Sequence, residues 1–175
     1  NYVATTGAGQ VTCKKGGYCP GNSTIYVGGS VSGRSTTGGW TDCGSGKYNA
    51  NTGSSASSAC SSCSSLASEY TASDDGRDAS TKCYLTTTST KYVATANSNQ
   101  TSCAKGGYCP GGTKVYYGST GGRTTCPANS YCVAGVASAT ACSTTNANYT
   151  LSAAGSDDAN DCYLTTTSTK YVATA

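Results

Sequence analysis

Apolar residues never gather in this chain: runs are at most a few positions long, and Gly, Asn or Ser interrupts each one. Between the interruptions stand mainly Thr, Tyr and Val, which fit a pleated, half-buried strand better than a helix. The pattern predicts short strands and turns with almost no helix. The clearest strand is 84–95, repeated at 163–174, since both stretches are rich in Thr, Tyr and Val and carry neither Gly nor Pro. Stretches such as GGSVSGRSTTGG at 28–39 read as loops. No apolar run approaches the roughly 20 residues of a membrane-crossing helix, so no membrane span is expected.

Composition says why regular elements should be short. Nine Val, one Ile and four Leu, with no Phe and no Met, are the large aliphatic side chains and Phe of a 175-residue chain. That is about 8%, far under the roughly 20% below which chains tend to stay disordered. Hydrophobic burial alone cannot hold this protein. Fourteen Tyr can bury rings while their hydroxyls stay hydrogen-bonded, and twelve Cys can cross-link. An even number of Cys in so core-poor a chain reads as a disulfide framework made in an oxidising compartment, which places the protein outside the cell or on its surface. Zinc is not expected: there is no His, and Cys60 and Cys63 form the one Cys-x-x-Cys. A net charge of +3 from singly scattered Lys and Arg marks no nucleic-acid or anionic-membrane partner.

Self-comparison gives the organisation. CYLTTTSTKYVATA at 83–96 recurs unchanged at 162–175, a period of 79 residues, and YVAT also stands at 2–5. Two Cys-rich repeats follow, 1–90 and 91–169, with 170–175 starting a third repeat or forming a linking strand. That phasing, and the absence of an initiator Met or signal-peptide pattern at Asn1, are expected of an excerpt from a longer tandem array. VTCKKGGYCPGNSTIYVG (11–28) aligns with TSCAKGGYCPGGTKVYYG (101–118), and SDDGRD (73–78) with SDDAND (156–161). On this alignment Cys13, Cys19, Cys43, Cys60 and Cys83 correspond to Cys103, Cys109, Cys126, Cys142 and Cys162, whereas the sixth is Cys63 in one repeat and Cys132 in the other. Six Cys per repeat allow three internal bridges in 15 possible connectivities. Each bridge over a loop of 15 to 20 residues is worth on the order of 3 kcal/mol, enough for sulfur to replace a missing core.

The spacing Cys-x5-Cys, with Tyr just before the second Cys, occurs as CKKGGYC at Cys13, CAKGGYC at Cys103 and CPANSYC at Cys126. With CGSGKYNANTGSSASSACSSC at 43–63, these motifs resemble the cysteine-rich ephrin-receptor-like repeats, similar in style to tumour-necrosis-receptor repeats, of extracellular surface proteins. The resemblance covers about half of each repeat. It implies an elongated array of small disulfide-rich modules with structural or adhesive roles and no catalytic residue. Trp40 departs from it, standing where the first Cys of a Cys-x-x-Cys would precede Cys43, and so does the Thr-rich linker after Cys83.

The polar residues offer little catalytic chemistry. There is no His base for the many Ser and Thr, and Glu69 is the one Glu beside seven Asp. The chain reads as a non-enzyme without cofactors. Asp74, Asp75, Asp78 and Asp157, Asp158, Asp161 could supply oxygen ligands, but they lack the spacing of a calcium loop and read as solvated turns. Sugar attachment has more support. Ser and Thr make up 55 of 175 residues, with dense runs at 61–65 and 86–90. Asn22, Asn99 and Asn148 head Asn-x-Ser/Thr sequons, and Thr86, Thr87 and Thr88 are candidates for O-linked sugar. Tyr clusters such as 115–117, and Trp40, read as small local cores; stacking on sugar rings is the alternative.

Two functions fit. One is a structural subunit of an extracellular fibre, self-associating head to tail through the repeated YVATA strand and carrying covalent glycans. The other is an adhesin or surface antigen that binds glycans or a receptor through the loops at 28–40 and 118–123.

Overall fold

The computed structural model describes residues 1–28 and 34–170. These form strands of two to four residues, single-turn helices and loops, closed by six disulfides that use all twelve Cys. The fold is small, disulfide-rich, mostly strand and loop, with almost no helix. The strand expected over 84–95 is divided: Cys83–Thr86 and Lys91–Tyr92 are strands, and the chain turns between them with Thr90 at φ 66°. Of its copy at 163–174, residues 171–175 lie outside the described residues, and 163–170 contain a single bridge, Leu151 to Tyr163. Residues 29–33 of the expected loop also lie outside the described residues.

One local device builds most of the hairpins. Cys-x-x-Gly-x-Tyr starts at Cys13, Cys43 and Cys103, and Asn129 replaces the Gly in the copy that starts at Cys126. Gly16, Gly46, Gly106 and Asn129 all take a left-handed backbone, with φ of 81°, 74°, 74° and 66°. Gly and Asn are the residues that tolerate this conformation. At Gly16 a side chain is excluded as well, because a Cβ would stand 1.9 Å from the Gly76 carbonyl oxygen. The left-handed residue swings the chain round so that the Tyr enters a strand. Gly17–Tyr18 pairs with Thr41–Asp42, Lys47–Tyr48 with Ser61–Ser62, Gly107–Tyr108 with Thr124–Thr125 and Ser130–Tyr131 with Thr140–Ala141, all antiparallel. Hairpins this short are not stable alone.

Sulfur supplies what the hairpins lack. Among the described residues, ten of the fourteen buried hydrophobic ones are Cys, the others being Tyr70, Leu85, Val93 and Val115. The bridges are Cys13–Cys19, Cys43–Cys60 and Cys63–Cys83 in the first repeat, and Cys103–Cys109, Cys126–Cys132 and Cys142–Cys162 in the second. This pattern corrects the pairing of Cys142 with Cys60. Cys63–Cys83 and Cys142–Cys162 both span 20 residues, so Cys142 takes the place of Cys63. The same offset puts buried Ser73 opposite buried Ser152, and the helical turn Ser80–Lys82 opposite Ala159–Asp161. The hexapeptides SDDGRD and SDDAND are therefore staggered by four residues rather than matched.

Chain contacts divide the molecule into two compact units whose limits differ from the sequence repeats. Unit 1 comprises Asn1–Leu85 with Thr95–Asn99 and Val115–Ser119; unit 2 comprises Thr86–Ala94, Gln100–Lys114 and Thr120–Ala175. Unit 1 thus takes two pieces of chain from the second repeat. In unit 1, Arg77 Nη1 holds both Asp42 oxygens, at 2.8 and 2.7 Å. In unit 2, Lys105 pairs with Asp157 at 2.8 Å.

Candidate strand-addition surfaces

The borrowed segment supplies the third strand of one sheet in unit 1. Cys83–Thr86 is the middle strand of three, with Ala72–Ser73 on one edge and Lys114–Tyr116 on the other. Within unit 1, Tyr117 N donates to the Cys83 carbonyl at 2.8 Å. Tyr116 packs against Tyr84 with ring centroids 5.7 Å apart, and its hydroxyl donates to Asp74. Tyr117 meets Tyr70 edge to face. The other borrowed piece is fastened by Asn99, whose amide donates to Ser68 Oγ at 2.9 Å and accepts from Glu69 N at 3.2 Å. These Tyr contacts make 115–117 part of a local core, in a unit that the repeat boundaries did not anticipate.

Burial of the Tyr70 hydroxyl is one-sided. The residue is 0% exposed, and its oxygen has no hydrogen-bond partner among the described residues. Desolvation, helped by Tyr117 and the Glu69 carboxylate, raises its pKa above the ordinary tyrosine value.

Unit 2 continues the same docking one step along the chain. Thr87 N donates to the Thr113 carbonyl at 2.8 Å, Gly112 N donates to the Thr87 carbonyl at 2.7 Å, and Thr113 N donates to Thr87 Oγ1 at 3.0 Å. A Cβ on Gly122 would stand 2.6 Å from Thr87 Cγ2, so the glycine makes room for that side chain. Val93, bridged to Gly121, is 0% exposed.

Each unit also carries a surface that lacks the counterpart of these contacts among the described residues. In unit 2, an open cleft of about 400 Å³ is lined by Asn148, Tyr149, Leu164, Thr165, Thr166 and their neighbours. Tyr149, Leu164 and Thr166 stand at the places of Tyr70, Leu85 and Thr87. Leu85 and Thr87 are buried at 2% and 3%, whereas Leu164 is half-buried, Thr166 is exposed and Tyr163 is 51% exposed. In unit 1, a cleft of about 210 Å³ lies among Val3, Asn22, Ser23, Ile25, Gly38 and Gly39. These are the counterparts of Val93, Gly112, Thr113, Val115, Gly121 and Gly122, of which Gly112, Thr113 and Gly122 meet Thr87. Beyond this cleft, Val27 is 86% exposed.

Other sequence candidates are scattered. Among the described residues no three or more carboxylate, thiolate or imidazole groups converge as for a metal. Asp74 accepts from Tyr116, Asp75 lies 3.8 Å from Arg77, and Asp161 accepts from the backbone of Asp157 and Asp158. Asn22 and Asn148 are exposed, as are Thr86 and Thr88. Thr87 is buried with its hydroxyl engaged, which removes it as a site for sugar. Asn99 is exposed, but its amide is committed to Ser68 and Glu69.

Trp40 and Arg123 occupy equivalent places over a hairpin glycine. A Cβ on Gly17 would lie 2.5 Å from the indole, and one on Gly107 would lie 2.6 Å from the guanidinium carbon. The Lys14 ammonium sits 4.2 Å from the centre of the Trp40 ring. Trp40 is thus a cover for its own hairpin.

No protein-family model matches this chain, and neither a curated protein nor a solved structure matches it. Among the described residues, no helix is long and apolar enough to cross a membrane.

Proposed function

We propose that the chain is a structural subunit of an extracellular fibre, assembled head to tail from disulfide-stapled repeats and carrying sugar on exposed Asn, Ser and Thr. The observation that supports this most is the completion of unit 1 by residues 115–117 of the following repeat. A repeat that cannot finish its own sheet is suited to serial joining, and stacked units bury surface that one small unit cannot bury alone. Six bridges support an oxidising, extracellular setting. The Cys spacing that resembles ephrin-receptor-like repeats agrees with this role.

Negative-stain imaging of native material tests the reading, with fibres of regular axial repeat as the expected result. Isolated particles alone, together with saturable binding on a glycan array, would instead favour the adhesin.

A further inference from the structure

Resting on the fibre reading, we propose that a second copy of this chain docks by adding its 22–27 segment as a strand along the 162–166 edge of the first. The chain carries the template for this contact in its own interior. Residues 162–166 repeat 83–87 without change. Along 83–87, Cys83 O accepts from Tyr117 N and Thr87 N donates to Thr113 O. Numbers fall on one side as they rise on the other, which is an antiparallel course. Transferred by the repeat offsets, Val27 N would donate to Cys162 O, Thr166 N to Ser23 O, and Asn22 N to Thr166 O.

Among the described residues, both edges are free for it. Leu151 takes both backbone groups of Tyr163 on one side of that strand, and the opposite side has no backbone partner among the described residues. On the donor segment, Tyr26 N donates to Ser35 O at 2.9 Å. In the docked strand, backbone groups would alternate sides, so those of Ser23, Ile25 and Val27 would face the edge opposite Tyr26. Main-chain pairing of this kind gives affinity, and side-chain pockets at alternate positions give specificity.

The pockets are also complementary. The Thr166 side chain fits the unit 1 cleft between Ser23 and Gly39, as Thr87 fits beside Thr113 and Gly122. Val27 reaches Tyr149 in the unit 2 cleft, where Tyr117 reaches Tyr70. The contact is heterologous, so it propagates rather than closing on a two-fold dimer.

Sedimentation velocity on the oxidised 175-residue chain, over a hundred-fold range of concentration, tests this with two variants. Val27→Pro removes the donor to Cys162 O, and Thr166→Pro removes the donor to Ser23 O; both positions are exposed, so the bridged units should survive. The unsubstituted chain should form a ladder of oligomers, and each variant alone should remain a monomer. An equimolar mixture should give a dimer and nothing larger, because each variant keeps the surface the other has lost. That rescue could not come from misfolded chains. A monomeric unsubstituted chain, variants that still polymerise, or a mixture that stays monomeric would each overturn the docking. Fibres in native material that the two substitutions leave intact would overturn the interface while leaving the fibre reading in place.

Discussion

Tyr117 stands edge to face on Tyr70, with ring centroids 5.5 Å apart and planes at 85°, although the two residues belong to different sequence repeats. Aromatic pairs in this geometry contribute about 0.5–1.5 kcal/mol beyond the area they bury. Tyr117→Ala should therefore lower the unfolding free energy by about 2 kcal/mol or more, read from urea transitions. Tyr70→Phe should do the opposite. It deletes a hydroxyl that is buried without a partner among the described residues, so it should be neutral or stabilising by about 1 kcal/mol.

The same hydroxyl predicts alkaline sensitivity. The Tyr70 pKa is raised above 10.0 by burial, and that of Lys105 above 10.5 by its hydrogen bond and charge contact with Asp157. In both cases the folded state holds a proton that the unfolded chain releases sooner. The contribution is complete below the unfolded values, about pH 10 to 10.5, and is lost as pH rises through the folded ones. Urea midpoints should be flat for these groups from pH 7 to about 9.5 and fall beyond it. Tyr70→Phe and Lys105→Gln should each flatten part of that fall.

Asn49 occupies in the first repeat the position of Cys132 in the second, and both are 1% exposed. Gly16 N donates to the Asn49 carbonyl at 2.8 Å, as Gly106 N does to that of Cys132 at 2.8 Å. Where the second repeat has sulfur, the first has an amide: Asn49 Nδ2 donates to Gly17 O at 2.8 Å and to Ser54 Oγ at 2.9 Å. Asn49→Ala should cost about 1–3 kcal/mol by stranding those partners. Asn49→Cys combined with Cys60→Ser should redraw the bridge from Cys43 to position 49, as peptide mapping would reveal. Shortening the closed loop from 17 residues to six would forfeit about 1 kcal/mol of loop entropy.

Reduction should proceed in an order set by access. Cys13, Cys103, Cys109, Cys126 and Cys132 are at most 1% exposed, whereas Cys60 and Cys162 are half-buried. Timed alkylation with mass mapping should find Cys43–Cys60 and Cys142–Cys162 opening first. Full reduction should unfold the chain, since each bridge contributes about 2–4 kcal/mol and little else is buried. A reduced protein that kept its β signal would refute this.

The short strands and the bridged, core-poor class were legible because they follow from composition and punctuation. The three Cys-x5-Cys pairs are also local, and each closes on itself as a small loop. What was not legible depends on long-range fit. Two similar acidic hexapeptides invited an alignment by identity, yet the fold aligns the loop length from Cys63 to Cys83 and the buried Ser73, which moves Cys142 onto Cys63. The division of the 84–95 strand comes from the left-handed Thr90, a conformation that no residue-type preference favours. Nor could the chain alone show that VYY at 115–117 completes the preceding unit. Its alignment with IYV at 25–27 was the available signal, since an aromatic triplet beside Gly in a core-poor chain needs a surface to cover.

Each sulfur bridge closes a span of 6, 17 or 20 residues inside one sequence repeat, and none ties one repeat to the next. Under tension, a chain so laced cannot pay out its closed loops; each 20-residue loop withholds on the order of 65 Å of contour until its sulfurs part. Only stretches outside the loops, such as 84–102, are free to lengthen. Pulled in oxidising surroundings, the protein lengthens through those stretches alone, and a reductant would add the closed loops to its reach without cutting a peptide bond.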